Sequence, residues 1–253
     1  MKKKIVVCVA SFVILAYFTA LIAYKVNNNN LQGKVKENSN IEEQTYEVTS
    51  YITDEIKDST YDCVTQLCLV DEFTPDKLGD DADCIVLASV ISLDGTDADG
   101  SLVGMTDGKM LINTVLKGNL QQGQVIEYAK PGGIMKMSDW EETQPDAANL
   151  KREYLRSENN VNIDLNNTYI NVLISGDIEI ESGKSYLVYL KENADDKYEV
   201  IGLGNGLREL NIQQNNSRVA VQNLDISSLE IKNNETGEFE SLQEYIDTYI
   251  TNE

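Results

Sequence analysis

The sequence between Asp83 and Gly133 contains three β-rich runs, Cys84-Ile-Val-Leu-Ala-Ser-Val-Ile-Ser-Leu93, Lys109-Met-Leu-Ile-Asn-Thr-Val-Leu116 and Gln124-Val-Ile-Glu-Tyr-Ala129. Loops rich in glycine, aspartate and asparagine separate them at residues 94–100 and 117–123. Runs of this length with such boundaries predict antiparallel strands joined by hairpin loops. The first run is apolar on both of its faces, which predicts a central strand that is covered on both sides.

Further elements are predicted on either side of this region. Residues 48–56 have apolar side chains at helical spacing, although their β-branched content favours a strand. On the C-terminal side, acid and isoleucine alternate over residues 177–181 with the period of a half-exposed strand. Residues 183–190 and 197–203 are expected to pair as a hairpin.

The C-terminus carries the clearest helix signal outside the N-terminal region. Ser241 and Glu244 match a capping box, in which each side chain bonds an unpaired backbone amide of the other residue. Apolar residues then recur at the spacing of one helical face: Leu242, Tyr245, Ile246 and Tyr249. We expect this helix to pack on the β-structure.

The N-terminus predicts a membrane anchor. Three lysines at positions 2–4 precede residues 5–24, which carry no charge and are long enough to span a bilayer as a helix. We therefore predict a cytoplasmic tail (1–4), a transmembrane anchor (5–24), a polar stalk (25–44) and an extracytoplasmic domain (45–253), held in the cell membrane by a single pass. A cleaved signal peptide is the alternative, but neither Ala20 nor Ala23 near the end of the run has the small residue two positions earlier that cleavage requires.

The composition excludes several function classes. The formal net charge is −21, so phosphate backbones are repelled and nucleic acid is not expected as a partner. The chain contains no histidine, which excludes Ser-His-Asp and Cys-His catalysis and histidine-ligated zinc. The acidic loop at residues 94–100 does not fit the calcium loop of an EF-hand at either end. We expect no catalytic residues, metal or cofactor.

Several short motifs occur in a familiar order: Ala82-Asp83-Cys84-Ile-Val, Thr114-Val-Leu-Lys-Gly118, Gly123-Gln-Val-Ile126, Pro131-Gly-Gly133 and Gly183-Lys-Ser-Tyr-Leu-Val-Tyr-Leu190. This series resembles uncharacterised membrane-anchored envelope proteins of Gram-positive bacteria. Their domains are similar to the OB-fold barrel of netrin modules and tissue inhibitors of metalloproteinases. The resemblance implies a mainly β domain with an OB-like antiparallel barrel. It does not imply protease inhibition, because the required N-terminal cysteine is absent: the first cysteine beyond the anchor is Cys63.

Three cysteines lie outside the predicted anchor, in a compartment that permits disulfides. Cys63 and Cys68 are close enough in sequence to close a small loop, and this bridge is our prediction. Cys84 begins an apolar strand, where a free thiol packs as a small hydrophobe. A bridge from Cys84 to Cys63 or Cys68 is the alternative.

Residues 134–160 form a long, charged connection with a helix-like patch at 147–155. Connections of this length in compact domains often have a function. The segment contains Trp140, the only tryptophan, together with Met135 and Met137, and such side chains are enriched in interfaces. We predict that a protein partner binds here; the alternative is that Trp140 plugs one end of the barrel.

The leading hypothesis for function is a membrane-anchored extracytoplasmic binding module without catalysis. The second hypothesis is an envelope hydrolase that acts through a pair of carboxylates, because 42 acidic residues supply many candidates. A third, a sensor or assembly component acting through the stalk, makes the same predictions as the first. An acidic cleft that holds two carboxyl groups with strongly different pKa values favours the enzyme. An exposed apolar patch favours the binding module.

Overall fold

The three apolar runs between residues 84 and 129 form strands in a computed structural model of the chain. The structure describes residues 45–65, 73–98, 102–193, 197–212 and 217–250. The predicted tail, anchor and stalk lie outside these residues. Within the described part of the chain, no helix is both long and apolar enough to cross a membrane.

The strands of the described residues are β1 (Thr45–Glu47), β2 (Thr49–Ser50), β3 (Thr60–Thr65), β4 (Cys84–Asp97), β5 (Met105–Lys117), β6 (Val125–Pro131), β7 (Gly133–Lys136), β8 (Tyr169–Ile174), β9 (Ser185–Glu192), β10 (Tyr198–Val200), β11 (Leu207–Glu209), β12 (Arg218–Ala220), β13 (Glu230–Lys232) and β14 (Phe239–Ser241). The helices are α1 (Asp54–Asp58), α2 (Pro75–Asp81), α3 (Met137–Thr143), α4 (Asp146–Glu158), α5 (Leu203–Gly206) and α6 (Leu242–Tyr249), with a 3₁₀ turn at Ile226–Ser228.

Five strands close into a barrel. The strands β4, β5 and β6 form an antiparallel meander, as the three runs predict. The hairpin of β9 and β10 follows, and β9 pairs antiparallel with β4. A parallel pairing of β10 with β6 completes the ring. This arrangement is consistent with an OB-like barrel.

The central position predicted for β4 is confirmed. Residues 84–93 are buried throughout, because the two faces of the strand enter two different cores. Cys84, Val86 and Ala88 lie in the barrel interior, and Ile85 and Leu87 lie in a second core on its outside. Burial on both faces explains why this strand is a continuous apolar run rather than an alternating one.

The C-terminal helix closes the second core. The Ser241 Oγ accepts a hydrogen bond from the Glu244 amide at 3.4 Å and caps α6, as predicted. The helix buries Leu242, Tyr245 and Ile246 against residues of β4 and β9. The expectation that this helix packs on the barrel is confirmed.

A second, smaller sheet contains β3, β8 and β7 in that order. It follows directly from the barrel, since Gly132, with a φ of 83°, separates β6 from β7. The Tyr51 hydroxyl ties the two sheets together: it lies 2.7 Å from Thr96 Oγ1 and donates to the Ile134 carbonyl at 2.7 Å. Burial raises the pKa of Tyr51 above that of a free tyrosine, so the hydroxyl remains a donor further into the alkaline range.

Two predicted elements are wrong. Residues 48–56 contain parts of β2 and α1 instead of one helix, because the β-branched residues favour extended structure. Residues 177–181 form no strand. Ile178 and Ile180 pack against the barrel core, which gives the alternating pattern, but their backbone joins no ladder. The pattern reports alternating burial and not strand pairing.

Candidate functional site

The connection between β7 and β8 consists of two helices, α3 and α4, where the sequence predicted an irregular segment with a helix-like patch. The patch at residues 147–155 lies within α4 (Asp146–Glu158). The Met137 amide bonds the Thr168 carbonyl at 2.9 Å, and the Ser138 amide bonds the Leu165 carbonyl at 3.1 Å. These bonds fasten the start of α3 to the chain that enters β8.

Two of the three residues predicted to contact a partner lie in the protein core. Met135 and Met137 are buried in a third core with β8 residues such as Ile170 and Val172. Trp140 is half-buried and packs against the same core. The Arg152 guanidinium carbon lies 4.6 Å from the centre of the indole ring, a cation–π distance. The methionines therefore contribute to the stability of this layer, and partner binding by Trp140 stays a prediction.

The side of α4 that contacts α3 carries polar residues. Glu141 of α3 forms ion pairs with Arg156 and, at 3.3 Å, with the Arg152 Nε. The Asn149 amide group donates to the Glu141 carbonyl at 2.8 Å, and Arg152 also donates to the side chain of Asn149. These contacts, which we call the Glu141 clamp, hold α4 on α3. No residue of α4 is buried, so the clamp replaces the apolar packing that usually holds a helix.

The apolar side of α4 faces outward as a result. Leu150 is 66% exposed, Tyr154 63% and Leu155 47%. Leu150 and Tyr154 lie one turn apart on the same side of the helix, next to the exposed Ala147. We call Ala147, Leu150, Tyr154 and Leu155 the α4 face. Exposed apolar side chains of a soluble domain are commonly isolated, and a cluster on one helix is typical of a binding surface.

The sequence did not indicate which residues of this segment are exposed: Met135 and Met137 are buried, and the exposed apolar residues lie on α4. The apolar spacing at positions 147, 150 and 154 was visible, and so was the polar set at 149, 152 and 156. In most helices of globular proteins the apolar side faces the core, so the pattern alone predicts the opposite orientation. The ion pairs with Glu141 give α4 the observed orientation instead. Because Glu141 belongs to α3, the sequence of α4 alone does not reveal this contact.

An acidic cavity of about 830 Å³ lies on the other side of α3. Its charged lining comes from the end of β4, from β5 and from α3: Asp94, Asp97, Asp107, Asp139 and Glu142. Lys197 pairs with Asp107 at 2.6 Å and neutralises one of these charges. Among the described residues, no group of three or more acidic or cysteine side chains is arranged to hold a metal ion. The cavity is a negatively charged surface that favours cationic groups.

The described cysteines are not joined to each other. Cys63 lies half-buried in β3, and Cys84 is buried in the barrel, where it packs as the small hydrophobe expected of a free thiol. A bridge between Cys84 and Cys63 is therefore absent. Cys68 lies outside the described residues, so the bridge between Cys63 and Cys68 stays a prediction.

No protein-family model matches this chain, and no curated protein matches it.

Proposed function

We propose that this protein is a membrane-anchored extracytoplasmic module that binds a protein partner through the α4 face. One observation carries the proposal: Leu150 and Tyr154 are about two-thirds exposed, while Asn149, Arg152 and Arg156 of the same helix contact Glu141. Exposing an apolar helix side has a free-energy cost of about 25 cal/mol per Å² of apolar surface. A partner that covers this side recovers that free energy on binding.

The chemistry of the α4 face indicates the kind of partner. Tyrosine supplies a large contact area with little loss of side-chain entropy, and leucine adds apolar area beside it. Lys151 and Glu158 are exposed on the same part of the helix. A partner with an apolar groove and charged residues of both signs at its rim fits this pattern, as in other helix-in-groove complexes.

We infer an OB-like barrel related to the netrin-type modules, which is supported by the ring order β4, β5, β6, β10 and β9 with a single parallel pairing. The anchor at residues 5–24 and the stalk at 25–44 then hold the α4 face outside the cell. External protease is expected to remove residues 45–253 from wall-less cells, and a protected domain contradicts this topology.

The binding function is tested with two matched double variants of the full chain. Leu150→Ser with Tyr154→Ser removes most of the α4 face, and Tyr61→Ser with Val64→Ser removes exposed apolar side chains of β3. Both pairs are surface changes, so stability is expected to change by about 0.5 kcal/mol or less. Affinity capture from whole cells should lose the partner only with the first pair.

A partner retained by both variants contradicts the proposal. A second copy of this chain as the captured protein is also a contradiction, because the proposal requires a different protein. Light scattering of the purified chain separates these outcomes: we expect the same mass for the native chain and for the α4 variant.

The acidic cavity supports a second candidate function, the carboxylate hydrolase. Asp139 and Glu142 of α3 line this cavity together with Asp94 and Asp97 of β4. Catalysis is tested by incubating the full chain with purified envelope polysaccharide and measuring new reducing ends. Loss of product with both Asp139→Asn and Glu142→Gln supports the enzyme, and no product with the native chain rejects it.

A further inference from the structure

A partly open, mainly apolar cavity of about 170 Å³ lies where the end of the barrel meets the smaller sheet. Its apolar lining comes from β6, β8, β10 and the chain around them: Phe73, Pro131, Ile174, Val200, Ile201 and Leu203. An apolar cavity of about 150 Å³ is large enough to bind benzene. The cavity is separate from the α4 face, since they share no residue.

A buried ion pair forms part of the wall. Lys130 and Asp177 both line the cavity, and their side chains are only 5% and 1% exposed. The Lys130 Nζ donates to Asp177 Oδ2 at 2.6 Å and to the Pro131 carbonyl at 3.2 Å. The Ile178 amide donates to Asp177 Oδ1 at 2.8 Å, so both carboxylate oxygens accept a hydrogen bond.

The ammonium group has one more donor than these contacts use. A lysine carries three N–H donors, and two of those of Lys130 have acceptors among the described residues. An N–H of a buried charged group that has no acceptor costs about 1–3 kcal/mol of stability or more. An acceptor atom placed in the cavity removes this cost.

The backbone at the edge of the cavity is unusual as well. Leu203 has a φ of 51°, a left-handed conformation that non-glycine residues rarely adopt, and Gly202 before it has a φ of 84°. The positive φ of Gly202 favours glycine, and a Cβ there would also lie 2.5 Å from the methyl groups of the buried Leu78. Gly204 is held in turn by hydrogen bonds with Gly176 and Asn234. Such conformations persist where the surrounding contacts impose them, and they are frequent at ligand sites.

The charges of the lining restrict the ligand. Lys130 is balanced by Asp177, and Glu199 adds a further negative charge to the lining. An anionic ligand is therefore repelled, as it is by the net charge of −21. We propose that this cavity binds a small, neutral, mainly apolar molecule with one hydrogen-bond acceptor, such as a ketone or ester, which accepts the third N–H of Lys130.

Cyclohexanone and methylcyclohexane are suitable probes, because they are similar in size and only the ketone has an acceptor. Both are titrated into the full chain, and the methyl resonances of Ile174, Val200 and Leu203 are followed by NMR. We expect these methyl groups to shift with saturation. Shifts confined to other methyl groups, or no shift with either probe, overturn the proposal.

The role of Lys130 is tested with the double variant Lys130→Met with Asp177→Leu. Replacing both members of a buried ion pair by apolar residues of similar volume is often neutral or stabilising, so the variant should fold. We expect the dissociation constant of cyclohexanone, relative to that of methylcyclohexane, to rise about tenfold in this variant. That factor corresponds to the loss of one hydrogen bond to a charged group. An unchanged ratio contradicts the role given to the ammonium group.

Phe73→Ala provides a test that leaves the ion pair in place. Phe73 is half-buried, so this truncation is compatible with folding. Opening the wall should weaken both probes at least about fivefold by lost contact, and the ratio between them should stay the same. Unchanged affinities for both probes show that they bind elsewhere and overturn the proposal.

Discussion

Truncating Glu141 should release α4 while leaving the barrel intact. The Glu141 carboxylate is 14% exposed and pairs with Arg152 and Arg156, which are 26% and 22% exposed. Partly screened pairs of this kind contribute about 1 kcal/mol each, so Glu141→Ala removes about 2 kcal/mol from the docking of α4. Because no α4 residue is buried, little other packing holds the helix.

A loss of about 2 kcal/mol corresponds to an increase of about 30-fold in the population of the undocked state. Hydrogen exchange of peptides covering residues 146–158 should accelerate by that factor, while exchange in β4 and β9 should be unchanged. Trp140 offers a second readout, since the removal of Arg152 from its ring should change the emission of the only tryptophan.

Glu142→Ala is the matched control. Glu142 is the exposed neighbour of Glu141 on α3, and the same truncation there removes no ion pair among the described residues. Exchange of residues 146–158 should be unaffected. Equal exchange of residues 146–158 in the two variants would refute the claim that Glu141 holds α4 on α3. An acceleration that extends to the barrel strands would also refute it.

Three further perturbations test the packing. Urea unfolding monitored by circular dichroism should show that Trp140→Ala lowers the free energy of unfolding by about 2–3 kcal/mol, which is less than the loss expected for a fully buried ring. Trp140→Phe should lower it by less than about 1.5 kcal/mol. Gly206→Ala should cost about 2 kcal/mol or more in the same assay, because its Cβ would lie 1.6 Å from the Ile201 carbonyl oxygen, whereas Gly95→Ala, with open space around it, should be tolerated. Burial raises the pKa of Tyr189 and of Tyr245, so the folded state keeps protons that the unfolded chain loses above a pKa of about 10. Their contribution to the free energy of unfolding is therefore complete below pH of about 10. It is lost as the pH rises further, by about 1.4 kcal/mol per pH unit for each tyrosine. A urea midpoint that does not change with pH up to about 11 contradicts this.

The barrel was predictable because its signals are local. Each of the strands β4, β5 and β6 is a long apolar run with glycine or aspartate at its ends, and their antiparallel order follows from short loops. The parallel pairing of β6 with β10 links residues about seventy positions apart in sequence, and no local pattern specifies it. The capping of α6 by Ser241 is also a local interaction, which is why its start was placed correctly.

The candidate site depends on tertiary contacts that the sequence does not encode locally. Met135 and Met137 look the same in sequence whether they face a core or a partner, and burial in the third core distinguishes the two. The orientation of α4 depends on Glu141, which belongs to a different helix. The buried pair of Lys130 and Asp177 joins residues that are 47 positions apart. Each of these contacts reverses or adds to what side-chain type alone predicts.

A photo-reactive amino acid at position 154, in the full chain and in living cells, tests binding by the α4 face without purification. The account predicts one defined adduct on illumination, reduced when Leu150→Ser is added, and no such adduct with the same amino acid at Phe239, which is exposed outside this face. The same products from both positions, or no product from position 154, would contradict it.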